Sequence, residues 1–135
     1  MTAGRAVLDP NVLISALLSP SGSPAALVAR WLAGEFELVV SEPLLAELRR
    51  ALAYPKLRSR ITEEEATAFV DLLGRTATRW EDPARSARRS RDPGDDYLLA
   101  LAEASAAILV TGDQDLFALA DAPVLSPAAF LESLA

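Results

Sequence analysis

Cysteine and histidine are both absent from this chain. Without cysteine there is no disulfide, no thiol nucleophile and no thiolate zinc site; without histidine there is no Ser-His-Asp triad and no imidazole to carry protons. Metal chemistry is left to carboxylates, whose hard oxygens suit Mg²⁺ or Mn²⁺ better than thiolate-seeking ions. No apolar run approaches the roughly 18 residues of a membrane span. The N-terminus also lacks the basic stretch leading into an apolar one that marks a signal peptide. A cytoplasmic protein with no membrane contact is the expectation.

What is present describes a well-filled core. Of 135 residues, 51% are hydrophobic and 24% charged, a composition that argues against disorder and for one domain spanning residues 1–135. A chain of this size removes roughly 70% of its unfolded surface from water and needs no covalent staple. Thirteen Lys and Arg against nineteen Asp and Glu leave a formal charge of −6, so the molecule as a whole repels polyanions. The average conceals two opposed clusters: Arg85, Arg88, Arg89 and Arg91, and a set of aspartates that begins at Asp92 and resumes at Asp113.

Along the chain, apolar runs alternate with helical stripes. Residues 5–9 (Arg-Ala-Val-Leu-Asp) read as a short buried strand ending in Asp9, followed by a short helix over Val12–Leu18. Ser23 and Pro24 open a second helix with Leu27, Val28, Trp31 and Leu32 as its core stripe, stopped by Gly34. Residues 36–41 form the next strand, and Ser41 caps a helix carrying Leu44, Leu45, Leu48 and Leu52, with Glu47 at the edge of the stripe. Thr62 and Glu65 match a capping box ahead of Ala66, Phe69, Val70 and Leu73, so Glu63, Glu64 and Glu65 read as helix-start charges before they read as metal ligands. From about Trp80 to Gly94 no periodicity holds, which predicts a long exposed loop. A helix from near Asp96, a strand over residues 107–111, a short helix near Asp115, an edge strand at Val124-Leu125 and a last helix from Ser126-Pro127 complete the pattern. The alternation predicts a three-layer α/β fold with a mainly parallel central sheet flanked by helices.

In parallel sheets, sites gather at the carboxyl ends of the strands. Asp9 and Asp113 fall there; Glu47 and Asp96 lie on the helices that follow one strand and precede another. Carboxylates brought this close oppose one another's ionisation unless a divalent cation holds them together.

Four segments in this order resemble the PIN-domain family of metal-dependent ribonucleases, especially its small bacterial stand-alone members, among them toxins of toxin–antitoxin pairs: Val-Leu-Asp-Pro-Asn-Val-Leu-Ile-Ser-Ala from Val7, Ser-Glu-Pro-Leu-Leu-Ala-Glu-Leu from Ser41, Arg-Asp-Pro-Gly-Asp-Asp-Tyr-Leu-Leu-Ala-Leu-Ala from Arg91, and Val-Thr-Gly-Asp-Gln-Asp-Leu from Val110. The resemblance covers nearly the whole chain. It implies that Asp9, Glu47, Asp96 and Asp113 are the principal catalytic and metal-holding acids, with Asp92, Asp95 and Asp115 as further ligands or supporting groups. Asp95 reads equally as a helix cap, and Asn11, Ser41 and Thr111 either orient the acids or serve as ordinary caps and turns.

The activity so implied is endonucleolytic hydrolysis of RNA with Mg²⁺ or Mn²⁺, leaving 5′-phosphate and 3′-hydroxyl ends. The implied partners are an RNA substrate, a cognate antitoxin protein and a second copy in a homodimer. Arg85, Arg88, Arg89 and Arg91 would meet RNA phosphates, and Trp80 and Tyr97 either stack on bases or pack in the core. Pro10 departs from the threonine common among relatives and removes a hydroxyl and an N–H beside Asp9. Two other classes stay open on the residues alone: a non-catalytic PIN-like module that binds RNA or protein, and a phosphatase or phosphoryl acceptor using Asp9.

Overall fold

The computed structural model describes residues 4–81, 96–113 and 123–134. Five strands, β1 (Arg5–Leu8), β2 (Glu37–Val40), β3 (Thr78–Arg79), β4 (Ile108–Val110) and β5 (Val124–Leu125), form one sheet in the order β3-β2-β1-β4-β5. Every pairing is parallel. Such a sheet needs helical crossovers and buries both faces. These are supplied by α1 (Pro10–Leu18), α2 (Ser23–Leu32), α3 (Glu42–Leu52), α4 (Pro55–Arg58), α5 (Glu63–Thr76), α6 (Asp96–Ser105) and α7 (Pro127–Ser133). None of the described helices is by itself long and apolar enough to cross a membrane.

The core is the apolar content of the inner strands together with the helix stripes that cover them. Ala6, Val7, Leu8, Leu38, Val39, Val40, Leu109 and Val110 are all buried. From α3 come Leu44, Leu45, Leu48 and Leu52, and from α5 come Ala66, Phe69, Val70 and Leu73. Phe130 of α7 meets Phe36 edge to face, with ring centroids 5.1 Å apart, the arrangement that the ring quadrupoles favour.

Local signals explain most boundaries. Ser41 caps α3 through Leu44 N–H, and Thr62 with Glu65 completes the capping box of α5. Gly34, at φ +84°, takes the left-handed conformation beyond the end of α2. Other expectations shift. Gly22, not Ser23, is the N-cap of α2, with Ser23 its first helical residue and no side-chain cap bond. Leu32, expected in the core stripe, is 53% exposed, because it lies in the last turn of α2, off the face set by Leu27 and Trp31. β3 and α4 carry two and four residues, too few for any periodicity to reveal.

Trp80 leaves the sheet edge by donating its backbone N–H to the Val40 carbonyl at 2.9 Å, and the Arg5 guanidinium lies 5.0 Å from its ring centre. It packs against the core. The short helix expected near Asp115 lies outside the described residues.

Leu48 is fully buried in α3. Truncation to alanine removes three carbons and leaves a hole that a close-packed core fills only partly, so Leu48→Ala is expected to lower unfolding stability by about 2–5 kcal/mol. Urea denaturation checks this; a loss under about 1 kcal/mol would show that α3 is not seated as described.

Candidate active site at the carboxyl edge of the sheet

The chain reverses its direction of strand addition between β1 and β4. From β1 it builds outward to β2 and β3 on one side, and it later places β4 and β5 on the other. The crevice at such a reversal, outside the carboxyl ends of the two strands, is where open parallel sheets take their ligands. Asp9 follows β1 and Asp113 follows β4 by three residues.

Asp9 is held on every side. Its backbone N–H donates to the Val110 carbonyl at 3.0 Å and its own carbonyl accepts from Val12 N–H at 2.8 Å. Its carboxylate caps α1, with Oδ1 accepting from Asn11 N–H at 2.9 Å and Oδ2 accepting from the Thr111 hydroxyl at 2.8 Å. The side chain therefore ties the end of β1 to the end of β4. Thr111 in turn accepts from Asp113 N–H at 3.1 Å on the same hydroxyl oxygen, and its backbone N–H donates to Leu125 of β5 at 3.0 Å. One buried hydroxyl thus bonds both the carboxylate of Asp9 and the backbone of Asp113. Asn11 contributes through its backbone N–H.

Pro10 occupies the first position of α1. An N–H there has no intrahelical partner, and proline's fixed φ suits the position. The missing N–H therefore leaves no orphaned acceptor in the helix.

Electrostatically, Asp9 feels both its burial and a second acid. Asp9 is 7% exposed; burial pushes its carboxyl above the ordinary aspartate range, the bonds from Asn11 and Thr111 pull it back in part, and the neighbouring charge of Asp113 adds to the rise. The ion pairs among the described residues lie elsewhere, at Arg5–Glu37, Arg30–Glu35 and Arg79–Glu42.

Glu47 stands half-buried on α3 and accepts a hydrogen bond from the Tyr97 hydroxyl on α6. That bond joins the helix after β2 to the helix before β4. Tyr97 packs against the core, as one of its two expected roles had it, and its hydroxyl does something the motif did not foretell: it bonds a candidate ligand. Its position directly after Asp96 was the available signal. Asp96 opens α6, its side chain lying outside the described atoms. Asp92, Asp95, Asp115 and the arginines at 85, 88, 89 and 91 lie outside the described residues. Among the described residues the structure brings together Asp9 and Asp113, and no group of three acids is close enough to hold a metal. Ser41 serves as the cap of α3.

A family model described as PIN domain matches residues 5–115, a span that takes in Asp9, Glu47, Asp96 and Asp113. The chain belongs to the PIN-domain family. A relative in Methanocaldococcus jannaschii, the uncharacterized protein MJ1680, is 29% identical over 117 residues, covering 87% of this chain and 76% of the relative. Among solved structures, PAE2754 from Pyrobaculum aerophilum superposes with a TM-score of 0.68 at 21% identity, over 98% of this chain and 90% of that one. VapBC2 from Rickettsia felis, solved bound to a DNA fragment from its promoter, gives 0.64 at 15% identity over 89% and 96%. FitAcB from Neisseria gonorrhoeae gives 0.58 at 21% identity over 91% and 98%. The superpositions establish that the PIN fold is shared across nearly the whole length.

The raised pKa of Asp9 fixes a sign. Between the ordinary aspartate value and the raised one, the folded chain binds more protons at this group than the unfolded chain, so the group's contribution to stability falls as pH rises through that window. Asparagine at position 9 keeps an oxygen for Asn11 N–H and carries no charge to desolvate. In metal-free protein Asp9→Asn is expected to raise Tm at neutral pH, with the gap closing as pH falls toward the ordinary aspartate range. Thermal melts from neutral to acid pH check this; a variant that melts at or below the parent at neutral pH contradicts it.

Proposed function

We propose that this PIN domain is a Mg²⁺- or Mn²⁺-dependent endoribonuclease, with Asp9, Glu47, Asp96 and Asp113 as its principal acids and Asp92, Asp95 and Asp115 as supporting ones. The observation that carries the reading is the Asp9–Asp113 pair, joined through Thr111 at the sheet's reversal point. An all-oxygen donor set with surplus negative charge suits a hard divalent ion. Such an ion, when bound, lowers the pKa of water and stabilises charge developing on the phosphate.

The chain's own residues do the placing. Asp9, anchored through both oxygens, is a ligand that cannot swing away. The Tyr97 hydroxyl occupies one oxygen of Glu47 and leaves the other for a cation. Thr111 holds the two strand-end aspartates in register with one another. The arginines at 85, 88, 89 and 91 would offset repulsion between the acids and the RNA backbone.

The toxin role in a toxin–antitoxin pair belongs to the same proposal. The motif resemblance to stand-alone PIN toxins supports it, as does the shared fold with VapBC2 and FitAcB. A cognate antitoxin is then the expected protein partner, with a homodimer as the expected assembly.

A cleavage assay on a mixed RNA pool, with sequencing of the product ends, tests the reading. Discrete cuts that require Mg²⁺ or Mn²⁺ and leave 5′-phosphates are expected. Folded Asp113→Asn should be slower by about 100-fold or more, the equivalent of losing roughly 2.7 kcal/mol of transition-state stabilisation. Comparable cutting by the variant contradicts the assignment, and RNA binding with no cleavage under any divalent ion supports a non-catalytic module instead.

A further inference from the structure

Away from the carboxyl edge, the most distinctive surface is the seam where α3 packs against α5. A recess of about 270 Å³ opens there, with Leu52, Ala66 and Val70 in its lining and Arg49 and Arg58 beside them. Nη1 of Arg58 is buried without a hydrogen-bond partner among the described residues. A buried donor that nothing accepts is costly, and it marks a place where an acceptor belongs. Glu63 and Asp71 line the same recess, yet neither forms an ion pair with Arg49 or Arg58 among the described residues.

A second cleft continues the first. It shares Arg49 and adds Arg75 and Arg79. Gly74 makes room for it: a Cβ at that position would stand 3.3 Å from Nη2 of Arg79, so glycine lets the arginine lie across α5. Arg79 ends β3, whose partner at that level is Val40 at the carboxyl end of β2, and β2 flanks β1. With strands about 4.8 Å apart, this end of the seam lies two strands, about 10 Å, from the strand that carries Asp9.

We propose that the seam is the track on which single-stranded RNA lies as it reaches the carboxyl edge, with Arg58, Arg49 and Arg75 taking backbone phosphates. This rests on the nuclease reading and names where its substrate is held. Guanidinium groups match phosphate geometry, and a phosphate oxygen entering the recess would satisfy the buried N–H of Arg58. Two linked clefts that share an arginine and end at the carboxyl side of the sheet, two strands from β1, fit a linear polyanion better than one carboxylate of a protein partner. The interspersed Glu63 and Asp71 reduce the seam's net charge, so its hold on RNA comes from aligned contacts more than from bulk attraction.

Arg49 and Arg75 are exposed, so replacing both leaves the core intact; Arg50 and Arg60 are equally exposed and lie outside both clefts. Binding of a fluorescently labelled oligouridylate is measured by anisotropy across a salt series, with the full chain carrying Asp113→Asn to prevent cutting. Arg49→Gln with Arg75→Gln is expected to weaken binding about ten-fold and to reduce the slope of log affinity against log salt by about 1.4, two phosphate contacts at about 0.7 each. Arg50→Gln with Arg60→Gln, which removes the same charge, should leave both nearly unchanged. With Asp113 intact, the first pair should raise KM and spare kcat. Equal losses from the two pairs reduce the effect to net charge and overturn the track. No loss from either also overturns it, as it would if the seam receives acidic side chains of a protein. A parent that cuts RNA while the seam is indifferent overturns the track alone, whereas a parent that neither binds nor cuts RNA overturns the nuclease reading with it. Arg58→Gln adds a third arm, and melting curves establish that each variant is folded.

Discussion

The hydroxyl of Thr111 is buried between two carboxylates' supports: it donates to Asp9 and accepts from the N–H of Asp113. The organisation of the carboxyl edge follows from it. Through the Asp9 bond the end of β1 is fastened to the end of β4, and through the Thr111 backbone the end of β4 is fastened to β5. The same hydroxyl holds the backbone of Asp113 beside the carboxylate of Asp9. A parallel sheet supplies the rigid support for this arrangement, because both faces are covered and its strands cannot slide without exposing a continuous apolar core.

This arrangement works against stability at neutral pH. A buried aspartate beside a second acid is a strained way to end a strand, and the fold tolerates it because Asn11 N–H and Thr111 partly compensate the charge. Active sites are where such costs are retained. Pro10 illustrates the same economy from the other direction: at the first position of α1 it gives up an N–H that the helix does not use while stiffening the turn that presents Asp9.

Much of this was readable in the sequence for reasons that can be named. The leucines of α3 recur at helical spacing, the Thr62–Glu65 box announces α5, and Asp9 follows an apolar run too short to be anything but a buried strand. Strand order was not readable, since alternation of strands and helices requires parallel pairing but does not say on which side of β1 each strand falls. β3 and α4 are too short to carry a period. Gly22 took the cap that Ser23 advertised because the chain enters α2 one residue earlier than the Ser-Pro signal suggests. The role of Tyr97 depends on α3 and α6 meeting in space, and the arginine seam depends on two helices whose residues lie far apart in the chain. Such pairings are products of tertiary packing and leave no local mark.

On the proposed function, the carboxyl edge between β1 and β4 is a divalent-cation site. Crystals of the wild-type chain soaked in Mn²⁺ and recorded near the manganese absorption edge test it most directly. An anomalous peak in ligating contact with Asp9 and Asp113 is expected, and it should vanish in Asp113→Asn crystals. Manganese bound only elsewhere on the molecule, or a peak at this edge that persists unchanged in the variant, would contradict it.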